Sequence, residues 1–489
     1  MIRQRPGACA SPAPDDTVGA TVRRLFGRDS LYLLVWGTQL FLAAALTPVV
    51  TRVLGTAEFG EVTAAIAVMQ VLFAVAGFGL QTGIQRYYAL RGPGDAARLL
   101  TLSVVLAALV TVVADRTGDV WSRWLGLSGY SGTVRLAVWW AGASAVTYCA
   151  LGLLRSQDRL LLFSAAGLAQ SVLAEVASLV MVLALRPTPP MFLLGRLLGQ
   201  LLALAVALVG ARPRWLAPRH WGLALSALGY SLPLVPAELS TFVLNTADRL
   251  IVGGEMGLTA VARYQIAYNV GGVPLLLIHV LNVAWMPRIF ALDGAAHQAA
   301  VLAASRDALY RLLEPVLVGL ALGLPVLLRI WAPARYQPDD LLPVAGVVLI
   351  SVVPFGAGLA VTRGLLVTGH TGAVAGATVV GAVANVACNL ALVPRFGLVG
   401  SAASTFASFL VLHTVLRLRA RKTAPLPGPG AVRLLRVSLA AAAALALCAA
   451  PTGPEALVVR MILAVGTLAW FVRLVRRLSD PQVARAGHE

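Results

Sequence analysis

The sequence predicts an all-α integral membrane protein with about 14 transmembrane helices, and three properties of the chain lead to that prediction. Of its 489 residues, 58% are hydrophobic and only 12% are charged, and the mean hydropathy is +0.81. Soluble domains carry about 25% charged residues. Apolar runs of roughly 20 residues, the length that crosses the hydrocarbon core, recur along the chain between short arginine-containing loops. Lipid is therefore the expected solvent for most of the chain.

Each apolar run is predicted to form one membrane span. The spans lie near 31–52, 62–83, 98–114, 134–154, 161–185, 190–210, 222–246, 262–283, 311–331, 341–367, 372–393, 398–417, 434–450 and 455–474. We group them into two pseudo-symmetric six-helix lobes and a C-terminal helix pair. The domains are then a cytosolic tail (1–28), an N-lobe (29–211), a C-lobe (212–420), the last two spans (421–475) and a second cytosolic tail (476–489).

The loop charges orient these helices. The chain carries 39 Lys and Arg and a net charge of +18. With the N-terminus in the cytosol, most of these residues fall in cytosolic segments, as the positive-inside rule requires, and both termini are cytosolic. Because the arginines are scattered over short loops and do not share one face, we exclude nucleic acid as a partner.

A short motif occurs twice, six spans apart. The segments from Arg52 to Gly60 and from Arg249 to Gly257 both read Arg, five residues, Glu, one residue, Gly. We expect each to open a new helix, as the start of a repeated transporter half would.

The seventh span carries the main candidate site. Four polar residues recur there at i, i+3, i+7 and i+10, on one helical face: Glu238, Thr241, Asn245 and Asp248. Pro233 and Pro236 lie just before that face and should loosen the helix there. Buried charges in a span usually line a cavity, so this stripe is predicted to face one. In the alternative interpretation, Asn245 to Arg249 are simply the polar outer end of the helix.

Other charges fall inside predicted spans. Glu175 in the fifth span and Arg196 in the sixth lie at similar depth, which predicts an ion pair. That pair either serves transport or ties two helices together. Arg363 in the tenth span suits a phosphate ligand, because its planar guanidinium donates several hydrogen bonds. It could instead extend its side chain to the cytosolic interface.

The sequence predicts no catalytic residues, no metal site and no bound cofactor. It has no Ser/His/Asp set, no metal-ligand spacing and no phosphate-binding loop for ATP. Any energy for transport is expected from an H⁺ or Na⁺ gradient, a substrate gradient or a partner.

Four segments resemble the polysaccharide-type, Wzx-like flippases of the MOP superfamily. They are LTPVVTRVLGTAEFGEVTAA (46–65), GFGLQTGIQRYYA (77–89), SLPLVPAELSTFVLNTADRLIVG (231–253) and NLALVPRFGLVGSAAST (389–405). The resemblance implies an alternating-access carrier in the bacterial cytoplasmic (inner) membrane. Its substrate would be a polyprenyl-pyrophosphate-linked oligosaccharide, and a polysaccharide polymerase and glycosyltransferases would be partners beside the membrane lipids.

Two sets of site residues follow from this resemblance together with the charges above. Headgroup-binding candidates are Arg363, Arg196, Arg249, Arg52 and Asn245. Coupling or gating candidates are Glu238, Glu175 and Asp248. A pyrophosphate-sugar headgroup cannot cross hydrocarbon unaided, so cationic cavity residues would hold it while the isoprenoid tail stays in lipid.

Two other functions compete with this one. A cation-coupled multidrug or metabolite exporter of the MATE type belongs to the same superfamily, but such exporters usually have 12 spans. An integral-membrane polysaccharide polymerase or glycosyltransferase would normally need a large outer loop. The longest predicted outer loop, 115–133, is short for that role.

Overall fold

A computed structural model describes residues 46–125, 127, 129–276, 278, 295–423 and 431–479. Most of the predicted first span, the second half of the predicted span 262–283 and the cytosolic tails lie outside the described residues. Within the described part the chain is helical and contains no β-strand.

The N-terminal half comprises eight helical segments. They are α1 (46–53), α2 (Thr56–Gly77), α3 (Leu80–Arg91), α4 (Pro93–Arg116), α5 (Gly118–Trp124), α6 (Gly132–Ser156), α7 (Leu160–Leu185, with two π-helical turns) and α8 (Pro189–Ala211). α5 is a short helix between α4 and α6, and its Trp124 is 86% exposed.

Nine α-helices of the C-terminal half have both ends within the described residues. They are α9 (Trp221–Ser231), α10 (Val235–Met256), α11 (Leu258–Gly271), α12 (Ala295–Trp331), α13 (Leu342–Ile350), α14 (Val352–Val367), α15 (Thr371–Thr423), α16 (Ala431–Ala449) and α17 (Pro454–Ser479). In the described residues, 11 helical segments are long and apolar enough to cross a membrane. The chain is thus a multi-pass, all-α membrane protein, and the count of 14 spans stays a prediction.

Several helix ends differ from the predicted ones because polar residues continue a helix beyond its apolar core. α10 extends to Met256, so Asp248 and Arg249 lie inside the helix. The interpretation of Asn245 to Arg249 as a helix end was therefore wrong. The predicted break before the polar stripe is confirmed, since a 3₁₀ turn over Leu232–Leu234 separates α9 from α10.

The two copies of the repeated motif are not equivalent in the structure. In the first copy the helix breaks before the glutamate: Gly55 caps α2, and Glu58 accepts a 2.8 Å hydrogen bond from the backbone N–H of Gly55. In the second copy Glu255 lies in the last turn of α10, and the break follows at Gly257. Each copy thus leads into a new helix, but the second does so only at its last residue, Gly257, where glycine permits the positive φ of 83°.

The predicted spans 372–393 and 398–417 form the two arms of α15. The helix bends sharply between them at Gly397, which has φ 57° and ψ −137°. A residue with a side chain is strained at that φ, so glycine allows the bend.

The two halves of the chain pack together along α2, which contacts α6 from its own half and α10 and α11 from the other. The closest approach is at Gly60, where an added Cβ would lie 1.8 Å from the carbonyl oxygen of Leu258. The largest apolar core crosses the same boundary, joining Phe59 to Tyr264 and Leu317. α16 contributes Val437, Ala440, Ala444 and Cys448 to this core, and both α16 and α17 pack against α12.

Candidate transport site

The polar stripe on α10 has an open part and a buried part. Thr241 and Asn245 are exposed, and Glu238 is half-buried. Thr241 and Asn245 hydrogen-bond only to carbonyl groups one turn earlier, at 3.0 Å and 2.7 Å. Glu238 makes no hydrogen bond or ion pair with another described residue. These side chains therefore keep hydrogen-bonding capacity that the described residues do not use.

The N-terminal half meets α10 through residues that hydropathy did not identify. Phe73 on α2 makes edge contacts with Phe242, with ring centroids 5.6 Å apart, and with Tyr148 on α6, at 5.5 Å. The Thr246 hydroxyl donates to Gln70 Oε1 at 2.6 Å. The stripe thus lies beside an aromatic and amide surface of α2 and α6. No periodicity in the sequence distinguishes Phe73 or Tyr148 from other apolar positions.

The fourth member of the stripe, Asp248, is buried. It is 1% exposed, and its Oδ2 accepts a 2.7 Å hydrogen bond from the Tyr264 hydroxyl. Its Oδ1 accepts from the backbone N–H and the guanidinium of Arg249, at 3.0 Å and 2.6 Å. Asp248 lies in the same continuous helix as the other three but is buried, because α11 packs over this part of α10.

Arg249 is held by the same cluster. Its Nε donates to Gln265 Oε1 at 3.1 Å, its Nη1 donates to the Asn245 carbonyl, and its guanidinium lies 4.1 Å from the centre of the Tyr268 ring. Arg249 is 5% exposed. Buried charges are stable only when they are paired and hydrogen-bonded in this way. The cluster joins α10 to α11, and a headgroup-binding role for Arg249 stays a prediction.

The predicted ion pair between Glu175 and Arg196 is present. It joins α7 to α8, which approach closely because Gly199 packs against the backbone of Ala174. The Arg196 guanidinium also lies 5.5 Å from the centre of the Trp140 ring. The Arg196 side chain is 19% exposed, so the pair remains partly accessible.

Arg363 and Arg52 lie apart from both clusters. Arg363 is 3% exposed within α14, whereas Arg52 is exposed at the end of α1. Arg52 donates to the carbonyl oxygens of Pro48, at 2.7 Å, and Ile330, at 2.9 Å. Arg52 thus ties α1 to the last turn of α12.

The predicted site residues therefore fall into separate places. In the described residues, Asp248, Arg249 and Asn245 adjoin one another, and Glu175 and Arg196 form a second contact. Within the described ranges, no three His, Cys, Asp or Glu side chains cluster as a metal site would require.

The whole architecture is that of a MOP-superfamily transporter. The chain is similar to a lipid II flippase, MurJ, in an inward closed conformation, with a TM-score of 0.69, 11% identity and coverage of 91% of this chain and 99% of that one. It is also similar to an inward-facing multidrug resistance MATE family transporter of the superfamily (TM-score 0.61, 15% identity, 82% and 95% covered). A MOP superfamily transporter from Pyrococcus furiosus gives a TM-score of 0.58 at 17% identity, with 87% and 97% covered.

The family follows from the sequence. The model of the family described as "Polysaccharide biosynthesis protein" matches residues 26–293, more than half of the chain, and the chain belongs to that family. No curated protein sequence matches the chain significantly. The fold is shared with the MOP-superfamily transporters and the MurJ flippase named above.

Proposed function

We propose that this protein is a flippase for polyprenyl-pyrophosphate-linked oligosaccharide repeat units. It moves them from the inner to the outer leaflet of the bacterial cytoplasmic membrane for cell-surface polysaccharide synthesis. Membership of the polysaccharide biosynthesis family carries this proposal, because it connects the chain to polysaccharide synthesis, which the fold alone does not. Both termini then lie in the cytosol, and a polymerase and glycosyltransferases act before and after it.

The polar surface of α10 favours a substrate with a polar headgroup. Glu238, Thr241 and Asn245 present a carboxyl group, a hydroxyl and an amide along one open face. A sugar headgroup offers both donors and acceptors to such groups. Among the predicted cations, Arg363 is our first candidate for the pyrophosphate, since a guanidinium binds phosphate oxygens in a bidentate way.

Close packing at one end of the bundle supports alternating access. There the backbone of α2 at Gly60 meets Leu258, so the two halves leave no passage between these helices. Thr241 and Asn245 remain exposed in the same structure. A carrier must close one end while the other end is open. The 3₁₀ turn between α9 and α10 and the bend at Gly397 provide two points at which helices can rotate.

Coupling is assigned to the acidic residues. Glu238 is half-buried without a partner among the described residues, so H⁺ or Na⁺ can reach its carboxyl group from the open face. Glu175 and Asp248 are paired with arginines, and a coupling ion would compete with those pairs.

A cation-coupled exporter of the MATE type is the second candidate, and the likeness of the fold to MATE transporters favours it. The C-terminal helices count against it. α16 and α17 are each long and apolar enough to cross the membrane, whereas the MATE type usually ends at 12 spans.

The test is leaflet-resolved labelling of lipid-linked saccharides in cells. Loss of the protein should trap a polyprenyl-pyrophosphate glycan on the cytosolic side, and Arg363→Gln should reproduce that defect at normal protein level. Arg395→Gln is the matched control, because Arg395 is exposed at the end of a helical arm. If the glycan reaches the outer leaflet without the protein, the flippase function is wrong, and cation-dependent efflux of ethidium becomes the next assay.

A further inference from the structure

A charged groove between α12 and α16 lies outside every site described above. It has a volume of about 320 Å³ and is lined by Asp307, Arg311, Glu314, Val432, Arg433 and Arg436. Its charges come from two helices that are far apart in the sequence. No motif in the sequence indicated it.

Two ion pairs across the groove fix α16 against α12. Arg436 Nη2 donates to Glu314 Oε2 at 2.6 Å, and the Arg433 guanidinium pairs with Asp307. Asp307 also accepts from Arg306 Nε at 2.9 Å. One carboxylate therefore serves two guanidinium groups.

The groove retains an excess of positive charge and of hydrogen-bond donors. Three arginines (Arg311, Arg433 and Arg436) line the groove beside two carboxylates, and the buried Arg306 pairs with one of these, Asp307. Arg311 is exposed and makes no ion pair or hydrogen bond with another described residue. Each guanidinium has five N–H donors, and the pairs above use only part of them. The groove is therefore suited to an anion.

One acceptor in the groove also lacks a partner. Glu314 is 4% exposed, and its Oε1 accepts no hydrogen bond within the described part of the chain. A buried unpaired oxygen is costly. A hydroxyl group in the groove would satisfy it, so the ligand should carry hydroxyl donors beside its negative charge.

The depth of the groove matches the headgroup layer of a membrane. α12 has 37 residues, and at 1.5 Å per residue its length is about 55 Å, well beyond the roughly 30 Å of hydrocarbon. Its groove residues Asp307 and Arg311 lie 24 and 20 residues before its end at Trp331, about 30–36 Å along the helix axis, and Arg433 lies in the first turn of α16. By the predicted topology this end is cytosolic.

An apolar surface adjoins the charges. Val432, Leu435 and Leu439 follow one another at helical spacing on α16 and are 72%, 60% and 59% exposed. Acyl chains pack on such a face, while the groove beside it takes a headgroup.

From these contacts we propose that the groove binds the headgroup of an anionic phospholipid that carries hydroxyl groups, phosphatidylglycerol being the probe. The phosphate lies among Arg311, Arg433 and Arg436, and a headgroup hydroxyl donates to Glu314. The bound lipid joins the C-terminal helix pair to the rest of the protein.

The test compares full-length variants in nanodiscs that contain phosphatidylcholine with or without phosphatidylglycerol. Native mass spectrometry then counts the lipids that remain bound. Wild-type protein should retain phosphatidylglycerol in preference to phosphatidylcholine, and Arg311→Gln should lower that retention about tenfold, the effect of one lost charged hydrogen bond. Arg419→Gln is the matched control: Arg419 is exposed on the cytosolic part of α15 and has no side-chain partner among the described residues. It should retain the lipid as wild type does.

Three results would overturn the proposal. Equal retention of the two lipids by wild type would exclude a headgroup site. Equal losses in Arg311→Gln and Arg419→Gln would mean unspecific attraction to a charged surface. Inorganic phosphate that binds wild type, is lost in Arg311→Gln and displaces phosphatidylglycerol would identify a site for soluble phosphate. Size-exclusion profiles of the variants check that each one is folded.

Discussion

The guanidinium of Arg335 lies 2.7 Å from the carbonyl oxygen of Leu54, although the two residues are 281 positions apart. The same Nη2 donates to the carbonyl oxygens of Thr51 and Arg52, at 2.7 Å and 2.9 Å. Arg335 thus donates hydrogen bonds to carbonyl groups at the end of α1. The last carbonyl groups of a helix have no N–H donor within that helix. The contact joins the two halves of the chain, six residues before the close approach at Gly60.

Arg335→Gln should loosen this end. We expect a single cysteine at Asn245 to react faster with a membrane-impermeant maleimide added outside, because the closed state loses its charged hydrogen bonds. Arg329→Gln is the control, since Arg329 pairs with Asp339 within the same half, at 2.9 Å. Equal labelling rates in the two variants would exclude a closing role for Arg335.

Gly60→Ala should separate α2 from α11. The new Cβ would lie 1.8 Å from the Leu258 carbonyl oxygen, so the helices must move apart, at a cost of about 1–3 kcal/mol. Gly77→Ala, in the same helix, meets nothing within 4 Å and serves as control. Thermal unfolding in detergent should show a lower Tm for Gly60→Ala only. A Tm as high as that of Gly77→Ala would mean that the close approach does not hold the halves together.

Asp248→Asn should be strongly destabilising. It leaves the Arg249 guanidinium buried without its counter-charge, which costs about 3–5 kcal/mol. Asp340→Asn removes an exposed partner of Arg263, 3.3 Å away, and should cost under about 1 kcal/mol. Denaturant unfolding measures both, and similar midpoints for the two variants would contradict the importance of the buried pair.

Variants of the Glu175–Arg196 pair distinguish a role in transport from a purely structural role. If it serves transport, Glu175→Gln and Arg196→Gln each abolish flipping, and the double variant does not recover it at normal protein level. A purely structural tie predicts recovery in the double variant, because no unpaired charge remains. Leaflet-resolved labelling of the glycan, with protein level measured in parallel, distinguishes these outcomes.

The raised pKa of Tyr336 predicts that the folded protein loses stability at high pH. It lies between two membrane spans, and burial raises its pKa from 10.0 to about 12. Because the folded pKa exceeds the unfolded one, the stabilisation is complete below pH ~10 and is lost as pH rises through about 12. Tyr336→Phe should flatten the fall of Tm across that window. If the Tm of Tyr336→Phe falls with pH as steeply as that of wild type, the loss of stability is due to other groups.

Much of the architecture could be predicted because lipid forces each span to satisfy its own backbone hydrogen bonds in a long apolar helix. The predicted span 134–154 corresponds to α6 at Gly132–Ser156, and 190–210 to α8 at Pro189–Ala211. Helix ends were less predictable where polar residues continue a helix. α10 extends past its apolar part because Asp248 and Arg249 find partners on α11.

The sequence alone determined which segments enter the membrane and which polar residues enter with them, since hydropathy and helical period are local properties. The pairing of Glu175 with Arg196 could be predicted for the same reason, because opposite charges at equal depth on consecutive spans can reach each other. Tertiary packing decided the rest: that Tyr264 covers Asp248, that Gly60 meets Leu258, and that Arg436 reaches Glu314. Those contacts depend on which helix faces lie together across the whole chain, and no local pattern encodes that choice.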